Sequence, residues 1–377
     1  MAVLNDEQMM LKDAAAAWVR ERAPVTELRK LKESRDVYGF QPALYQEMAE
    51  MGWAGILIPE AYGGVEFGFT GLGLVLEELG KTLTASPLLS CSLAASALVL
   101  AGSEEQKQEF LPGIATGEMI AALAIDEDHQ HAPFNTALRA ERNGDGWQLN
   151  GSKTAIAEGM SATLAIVLAR TSGNPGERDG LSLFIVNTSA DGLRRSPRHQ
   201  IDARDVAHYE FEQLQLSADA LLGEEGKAAD IVEPVLDRAC IALAAEMLGN
   251  ASEALDVTLE YLKIREQFGA IIGSFQALQH RAAHMLGELE LTRSAIEAAL
   301  QAVDDEQDNL SQLASLAKVL ACDTLKLISN EMIQMHGGIG MTDEHDAGLY
   351  IKRARAAAAS YGNASYHRLR YARLSGF

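Results

Sequence analysis

Cysteine is scarce in this chain: there are 3 among 377 residues, Cys91, Cys240 and Cys322. They are far apart in apolar helical contexts and lack metal-ligand spacing, which argues against both a disulfide framework and a cysteine zinc site. Buried free thiols in a reducing compartment are therefore expected. The N-terminus lacks the apolar core of a signal peptide, since it carries charges such as Asp6 and Lys12. A cytoplasmic protein is expected.

Positive charge is also scarce. Lys and Arg number 32 against 53 acidic residues, so the net charge is −21, which argues against a nucleic-acid surface. An anionic ligand is still possible, because a local group such as Arg194, Arg195 and Arg198 can oppose the global charge, although clustered loop arginines are usually solvated. The longest uncharged run, Thr82–Ser103, is interrupted by Pro87 and rich in Ser, Thr and Ala. We expect a buried helix there and no membrane span.

What is present is a chain long enough for two or three domains, with an ordinary globular composition. Residues 1–118 have helical patterns, and residues 226–377 have long helical patterns of the kind found in a helix bundle. Between them, residues 119–225 have short alternating runs separated by Gly, Asn and Asp turns, which predict a small antiparallel barrel or sandwich. The long C-terminal patterns cover 227–264, 274–303, 309–335 and 343–373, the last broken near Gly362.

One helical pattern in the C-terminal part is interrupted by Gly269 and Gly273, and a second helix is expected from Ser274 as its N-cap. Side chains suited to an anion and a neighbouring polar ring flank this break: Arg265 and Phe268 before it and Gln276 after it. The alternative is a surface arginine on a helical corner. Further on, Gln334 precedes the glycine pair Gly337 and Gly338, which permits close approach of a ligand to the backbone. The alternative there is a glycine C-cap.

The motifs Arg-x-Gln-Phe-Gly, Phe-Gln and Gln-x-x-Gly-Gly-x-Gly, in this order and spacing, resemble those of the acyl-CoA dehydrogenase family. The N-terminal stretch from Gly52 to Gly64 and Asn150-Gly-Ser-Lys153 fit the same family. The resemblance implies an N-terminal all-α domain (1–118), a middle antiparallel β-barrel or sandwich domain (119–225) and a C-terminal four-helix bundle (226–377). It also implies FAD-dependent α,β-dehydrogenation of an acyl-CoA, with electrons passed to an electron-transfer flavoprotein.

The family's usual catalytic base is the Glu of Tyr-Glu-Gly-Thr, and in this chain Gly362 occupies that place. Its N–H remains suited to a thioester carbonyl. Some members carry the base on the first bundle helix before an arginine, which here corresponds to Asp237 followed by Arg238. The resemblance therefore implies Asp237 as the base and Arg238 as a substrate-binding residue. The alternative for Asp237 is an exposed carboxylate in a surface pair.

The middle domain departs from the family. Residues 125–131 do not match its usual flavin strand, and Ala155, Ile156 and Ala157 stand where an aromatic residue and a hydroxyl usually meet the flavin. The intact residues are those that in this family reach the FAD of a neighbouring subunit: Arg265, Phe268, Gln276, Gln334, Gly337 and Gly338. The stretch around His345 also looks like a bacterial subgroup that forms heterotetramers on large acyl-CoAs, including steroid side chains. His345 itself is expected to have no ligand role.

Three interpretations remain open. The first is an acyl-CoA dehydrogenase of fatty acid or steroid side-chain degradation, as a homotetramer or as one half of a heterotetramer with a second dehydrogenase chain. The second is a non-catalytic subunit that completes the FAD site of a partner. The third is an acyl-CoA oxidase or flavin monooxygenase of the same fold. No metal site is expected in any of them.

Overall fold

Helices form the first and last parts of the chain in the computed structural model, which describes residues 4–377. α1 begins with a capping box, in which the Asn5 side chain accepts from the Gln8 backbone N–H and the Gln8 side chain accepts from that of Asn5. Ser103 and Gln106 form a second capping box at α6. The N-terminal helices are α1 (Asp6–Arg22), α2 (Val25–Ser34), α3 (Pro42–Glu50), α4 (Phe69–Lys81), α5 (Leu88–Ala101) and α6 (Glu104–Ala115).

The C-terminal helices follow the predicted long patterns, with the last one broken by a turn at residues 360–363. They are α7 (Ala229–Ile264), α8 (Gln276–Asp304), α9 (Leu310–His336), α10 (Ala347–Ala359) and α11 (Ala364–Leu374). The order of helices, strands and helices confirms the predicted fold class. The sequence-derived boundaries near 118 and 226 stay predictions.

Strands fill the middle of the chain. They are β1 (Ala121–Ala124), β2 (Arg139–Asn143), β3 (Gly146–Ala157), β4 (Leu164–Arg170), β5 (Leu181–Asn187), β6 (Leu193–Pro197), β7 (Val206–Leu216) and β8 (Leu221–Leu222). The sheet order is β6-β7-β3-β2-β4-β5-β8, with β1 beside β4. Most pairs are antiparallel, as predicted, but β4 pairs in parallel with β1 and β2, which the sequence did not indicate. β4 is buried along its whole length, as expected for a strand covered on both faces.

The chain forms two compact units, each from separate segments. The helical unit comprises the chain up to Lys30, Phe69–Thr84 and Cys240–Phe377. The mixed unit comprises Leu31–Gly68 and Ala85–Ala239, and so contains the sheet. The core of the sheet includes Trp147, whose ring meets that of Phe184 edge-on at 5.1 Å.

Close helix contact and buried charge hold the helical unit together. α4 approaches α7 so closely that a Cβ at Gly249 would lie 1.8 Å from the carbonyl oxygen of Glu77, so only glycine fits there. The Glu77 carboxylate accepts from Lys12 Nζ at 2.9 Å and from Arg293 Nη1 at 2.6 Å. This pairing joins α1, α4 and α8, because the three residues lie on these helices.

The uncharged run at Thr82–Ser103 contains the buried helix α5 preceded by a loop, as predicted. Within residues 4–377, none of the helices has both the length and the apolar character needed to cross a membrane.

Candidate active site

The end of α7 leads into a short hairpin made of β9 (Glu266–Gln267) and β10 (Ala270–Ile271). Phe268 and Gly269 form its turn with φ angles of 58° and 75°, and two successive positive values are typical of a type I′ turn. α7 ends at Ile264, so Arg265 and Phe268 lie after the helix and not before its break as predicted. Both side chains are exposed, and the Phe268 ring is 92% exposed.

α8 begins at Gln276, which is also exposed. The prediction of Ser274 as its N-cap is wrong. Phe275 holds that position without a side-chain bond, because Ser274 belongs to a 3-10 turn and its hydroxyl donates to the carbonyl oxygen of Ile271 at 2.6 Å. The intervening turn therefore replaces the simple helix-to-helix break that the glycines suggested.

Aromatic and ionic contacts bring the ends of three helices together. The Tyr261 ring of α7 stacks on the His336 ring of α9, with 4.3 Å between centroids. Arg281 of α8 forms an ion pair with Glu331 of α9. The six predicted cofactor residues consequently lie at one end of the helical unit, and all of them are exposed. We call this set the end surface: Arg265, Phe268, Gln276, Gln334, Gly337 and Gly338.

The glycines of the end surface border open space. A Cβ at Gly337 or Gly338 would meet no heavy atom within 4 Å. His336, directly before them, is buried, and its Nδ1 donates to the Met332 carbonyl oxygen at 2.7 Å. Burial lowers the pKa of His336, and the imidazole of His345, with its ring centroid 4.4 Å away, lowers it further. His345 therefore packs against His336, the residue directly before the glycine pair.

Asp237 lies on α7 and is 2% exposed. Its helix neighbours Val235, Leu236 and Ala239 are buried as well. The alternative of an exposed surface pair is therefore wrong for this carboxylate, whereas its role as a base stays a prediction. Arg238 is half-buried, and its Nη1 donates to the carbonyl oxygen of Pro234 at 3.2 Å.

Gly362 occupies a turn in which any side chain would clash. Tyr361 and Gly362 have φ angles of 53° and 94°. A Cβ at Gly362 would lie 2.6 Å from Tyr366 Cδ1 and 2.9 Å from His367 Nε2. The position thus requires glycine on two counts, its backbone conformation and the lack of space, and a carboxylate does not fit there.

Sequence reasoning missed Lys318 of α9, which is fully buried. Its Nζ donates to the carbonyl oxygens of Gly362 at 3.0 Å and of Ala357 at 3.1 Å. The signal was available, since Lys318 shares a helical pattern with the buried residues Ala314, Ala317 and Ala321, where a charge needs a specific partner.

The middle strands have a second buried lysine. Lys153 Nζ contacts the Ile125 carbonyl oxygen at 2.7 Å and Glu127 Oε1 at 2.8 Å, so it ties β3 to the segment after β1. Burial lowers the pKa of Lys153 to about 8, against the opposing effect of Glu127. Nearby, Ala155 has a φ of 54° at a register shift between β3 and β7. Ala155 and Ala157 have no hydroxyl, so at these two positions a ligand meets only backbone polar groups.

Two of the three clustered arginines lie on a strand, whereas Arg198 follows the strand and is exposed. Arg194 and Arg195 lie on β6, where Arg194 pairs with Glu210. Arg195 Nη1 donates to the carbonyl oxygen of Ala162 at 3.0 Å. Contacts within the chain therefore account for both.

Three domain models match this chain. They describe the N-terminal domain of acyl-CoA dehydrogenase at residues 5–118, its middle domain at 128–214 and its C-terminal domain at 229–375. The chain belongs to the acyl-CoA dehydrogenase family. This is a family of oxidoreductases and flavoproteins, whose members are generally FAD-dependent.

Relatives of known family match this chain over nearly its full length. The probable acyl-CoA dehydrogenase YngJ of Bacillus subtilis is 32% identical, covering 98% of each chain. Butyryl-CoA dehydrogenase from Megasphaera elsdenii superposes with a TM-score of 0.91 at 25% identity, covering 100% of this chain and 99% of that one. A variant described as Tcur3481-Tcur3483 steroid ACAD superposes with a TM-score of 0.88 at 29% identity, covering 98% of each.

The end surface of this acyl-CoA dehydrogenase family member fits a dinucleotide such as FAD. Arginine forms charge-assisted, often bidentate contacts with phosphate groups. Amides such as Gln276 and Gln334 pair with polar ring edges, and the open space at Gly337 and Gly338 admits a ligand close to the backbone. The donor set is thus suited to both a pyrophosphate and a heteroaromatic ring.

Proposed function

We propose that this chain is a subunit of an FAD-dependent acyl-CoA dehydrogenase. The reaction removes a proton from the α-carbon and a hydride from the β-carbon of an acyl-CoA thioester, leaving an α,β-double bond. The observation that carries the proposal is the end surface, where an arginine, two amides and a glycine pair lie exposed together in a chain of net charge −21.

The end surface would hold the FAD of a neighbouring subunit, with Arg265 at the pyrophosphate. When bound, FAD accepts the hydride that leaves the β-carbon. A location between subunits is supported by exposed apolar side chains near the end surface, since Ile264 and Met341 are 75% and 78% exposed. Such exposure is typical of surfaces that contact another chain.

Within the chain, the Asp237 carboxylate accepts the proton from the α-carbon. Its burial supports this role, because a base sheltered from water is suited to a weakly acidic carbon. The N–H of Gly362 donates to the thioester oxygen, where negative charge develops as the proton leaves. Arg238, the next residue to the base, is the proposed contact to the acyl-CoA.

The proposed assembly is a tetramer, either of this chain alone or with a second dehydrogenase chain, and the electrons pass to an electron-transfer flavoprotein. The heteromeric form is favoured by Ala155 and Ala157, which have no hydroxyl at the positions where the family usually contacts the flavin. The structural likeness to the steroid ACAD supports a large acyl-CoA as substrate.

A second candidate function is a non-catalytic subunit that completes the FAD site of a partner. Gly362 favours it, because the closed turn excludes a carboxylate at the family's usual position. In that case Asp237 would be a structural acid and the end surface would be the only functional part.

Flavin absorbance of the purified oligomer, with and without a range of acyl-CoAs, tests the proposal. We expect a yellow protein whose flavin is bleached by an acyl-CoA and reoxidised by an electron-transfer flavoprotein. Rapid oxygen consumption instead would indicate an oxidase or monooxygenase. A flavin that no acyl-CoA bleaches would favour the non-catalytic subunit.

The Asp237→Asn variant tests the base. It should bind acyl-CoA but lose bleaching, because the amide keeps the shape and removes the proton acceptor, and Asp237→Glu should retain activity. The matched control is Asp256→Asn, an exposed acid on the same helix. Normal bleaching by Asp237→Asn would show that another group is the base.

A further inference from the structure

The turn between α10 and α11 holds two successive residues at positive φ, and the first of them, Tyr361, is not glycine. A left-handed conformation is unfavourable for an L-residue, because its Cβ approaches the following carbonyl oxygen. Strained backbone of this kind persists only where surrounding contacts hold it. The contacts around this turn therefore show which side chains hold its backbone in this conformation.

Three buried side chains contact the two carbonyl oxygens of this turn. His367 is 1% exposed, and its Nε2 lies 2.9 Å from the Tyr361 carbonyl oxygen. Since a carbonyl only accepts, Nε2 carries the proton and donates. Cys240 Sγ lies 3.6 Å from the same oxygen and 3.5 Å from Nε2. Lys318 Nζ donates to the next carbonyl, that of Gly362, at 3.0 Å.

Anchoring these carbonyls fixes the directions of two N–H groups. A trans peptide is planar, so its N–H points opposite to its C=O. With the Tyr361 carbonyl held on His367, the Gly362 N–H is directed away from His367. With the Gly362 carbonyl held on Lys318, the Asn363 N–H is likewise fixed.

We propose that Lys318, His367 and Cys240 form a clamp of positioning residues that aims the Gly362 N–H at the thioester oxygen. This inference rests on the proposed function, in which that N–H stabilises the developing negative charge. Lys318 also holds the end of α10, through the carbonyl oxygens of Ala357 and Ala358.

Lys318→Met tests the clamp, because methionine has a similar length and no N–H donor. The backbone amides of Tyr366 and His367, which donate to the side chain and the carbonyl oxygen of Asn363, should exchange with deuterium at least about tenfold faster, since a lost hydrogen bond to a charged group is worth roughly 1.5–3 kcal/mol. In the assembled enzyme, kcat should fall roughly a hundredfold, as for a misplaced catalytic group, while KM changes little. Lys326→Met, at an exposed lysine of the same helix, should behave as the wild type.

His367 provides an independent pair of variants should Lys318→Met fail to fold. His367→Phe removes the donor and should speed exchange, whereas His367→Gln keeps an N–H donor and should restore both exchange and kcat. The proposal is overturned if Lys318→Met and His367→Phe both exchange at the wild-type rate, or if exchange speeds up with kcat unchanged. A wild-type oligomer inactive on every acyl-CoA would refute the proposed function, and the exchange rates would still decide whether the clamp holds the turn.

Discussion

Gly362→Ala measures how firmly the turn at the proposed oxyanion position excludes a side chain. Placing a Cβ at a φ of 94° costs about 1–2 kcal/mol. Contacts of 2.6 Å to Tyr366 Cδ1 and 2.9 Å to His367 Nε2 add about 1–3 kcal/mol of overpacking. The expected loss is therefore roughly 2–5 kcal/mol in the free energy of unfolding.

Scanning calorimetry of the purified protein is a suitable assay. At about 2.1 cal/mol/K per residue, the whole chain has an unfolding entropy of about 0.8 kcal/mol/K, so the midpoint should fall by roughly 3–6 °C. Gly348→Ala is the matched control, since a Cβ at this α10 position meets no heavy atom within 4 Å. That variant should be neutral or up to about 1 kcal/mol more stable, because alanine favours helix. Equal midpoints for Gly362→Ala and Gly348→Ala would refute the steric reasoning.

Two further predictions concern charge. Arg265→Ala should raise the FAD dissociation constant of the assembled oligomer about 10- to 100-fold, because a charge-assisted hydrogen bond is lost. Lys263→Ala, at an exposed lysine, is the control. Unchanged FAD affinity of Arg265→Ala would count against the end surface as the FAD site. Burial tends to raise the pKa of Glu77, but Lys12 and Arg293 hold it below its ordinary value. A lowered carboxylate pKa gives stability that is present above about pH 4.3 and lost on acidification through the folded-state pKa. Glu77→Gln should therefore lower the free energy of unfolding at pH 7 by about 3–5 kcal/mol, as for a broken buried ion pair. The difference from the wild type should shrink in acid, where the wild-type carboxylate is protonated. A difference independent of pH would contradict this assignment.

Local patterns predicted the secondary structure well where burial follows a simple period. The long C-terminal helices and β1 to β5 coincide with runs visible in the sequence. β6 was missed because its residues, including Arg194 and Pro197, are polar or exposed and show no alternation. The parallel pairing of β4 was also beyond reach, since it depends on contacts between distant segments.

The proposed site could be predicted only in part. Motif spacing identified the residues of the end surface, and the structure brings them to one end of the helical unit. The hairpin at Phe268 was not foreseen, because Phe is a poor residue for a left-handed turn. Lys318 stands out in the sequence only as a charge in an apolar helical pattern, because the carbonyl oxygens that it contacts lie 39 and 44 residues away. His367 lies 6 residues from its partner Tyr361, but a side-chain contact with a main-chain carbonyl leaves no periodic pattern in the sequence.

Contacts within the chain do not explain why a phenylalanine stands at position 268. Its backbone has a φ of 58°, where Gly or Asn would cost less, and its ring is 92% exposed. Within residues 4–377, the aromatic neighbour of this ring is Phe275, edge-on with 6.4 Å between centroids. An aromatic side chain that strains its backbone and buries almost no area within the chain contributes little to folding. Its hydrophobic surface is instead available to a ligand or a second chain, and its place in the end surface beside Arg265 is where the proposed FAD of a neighbouring subunit would lie.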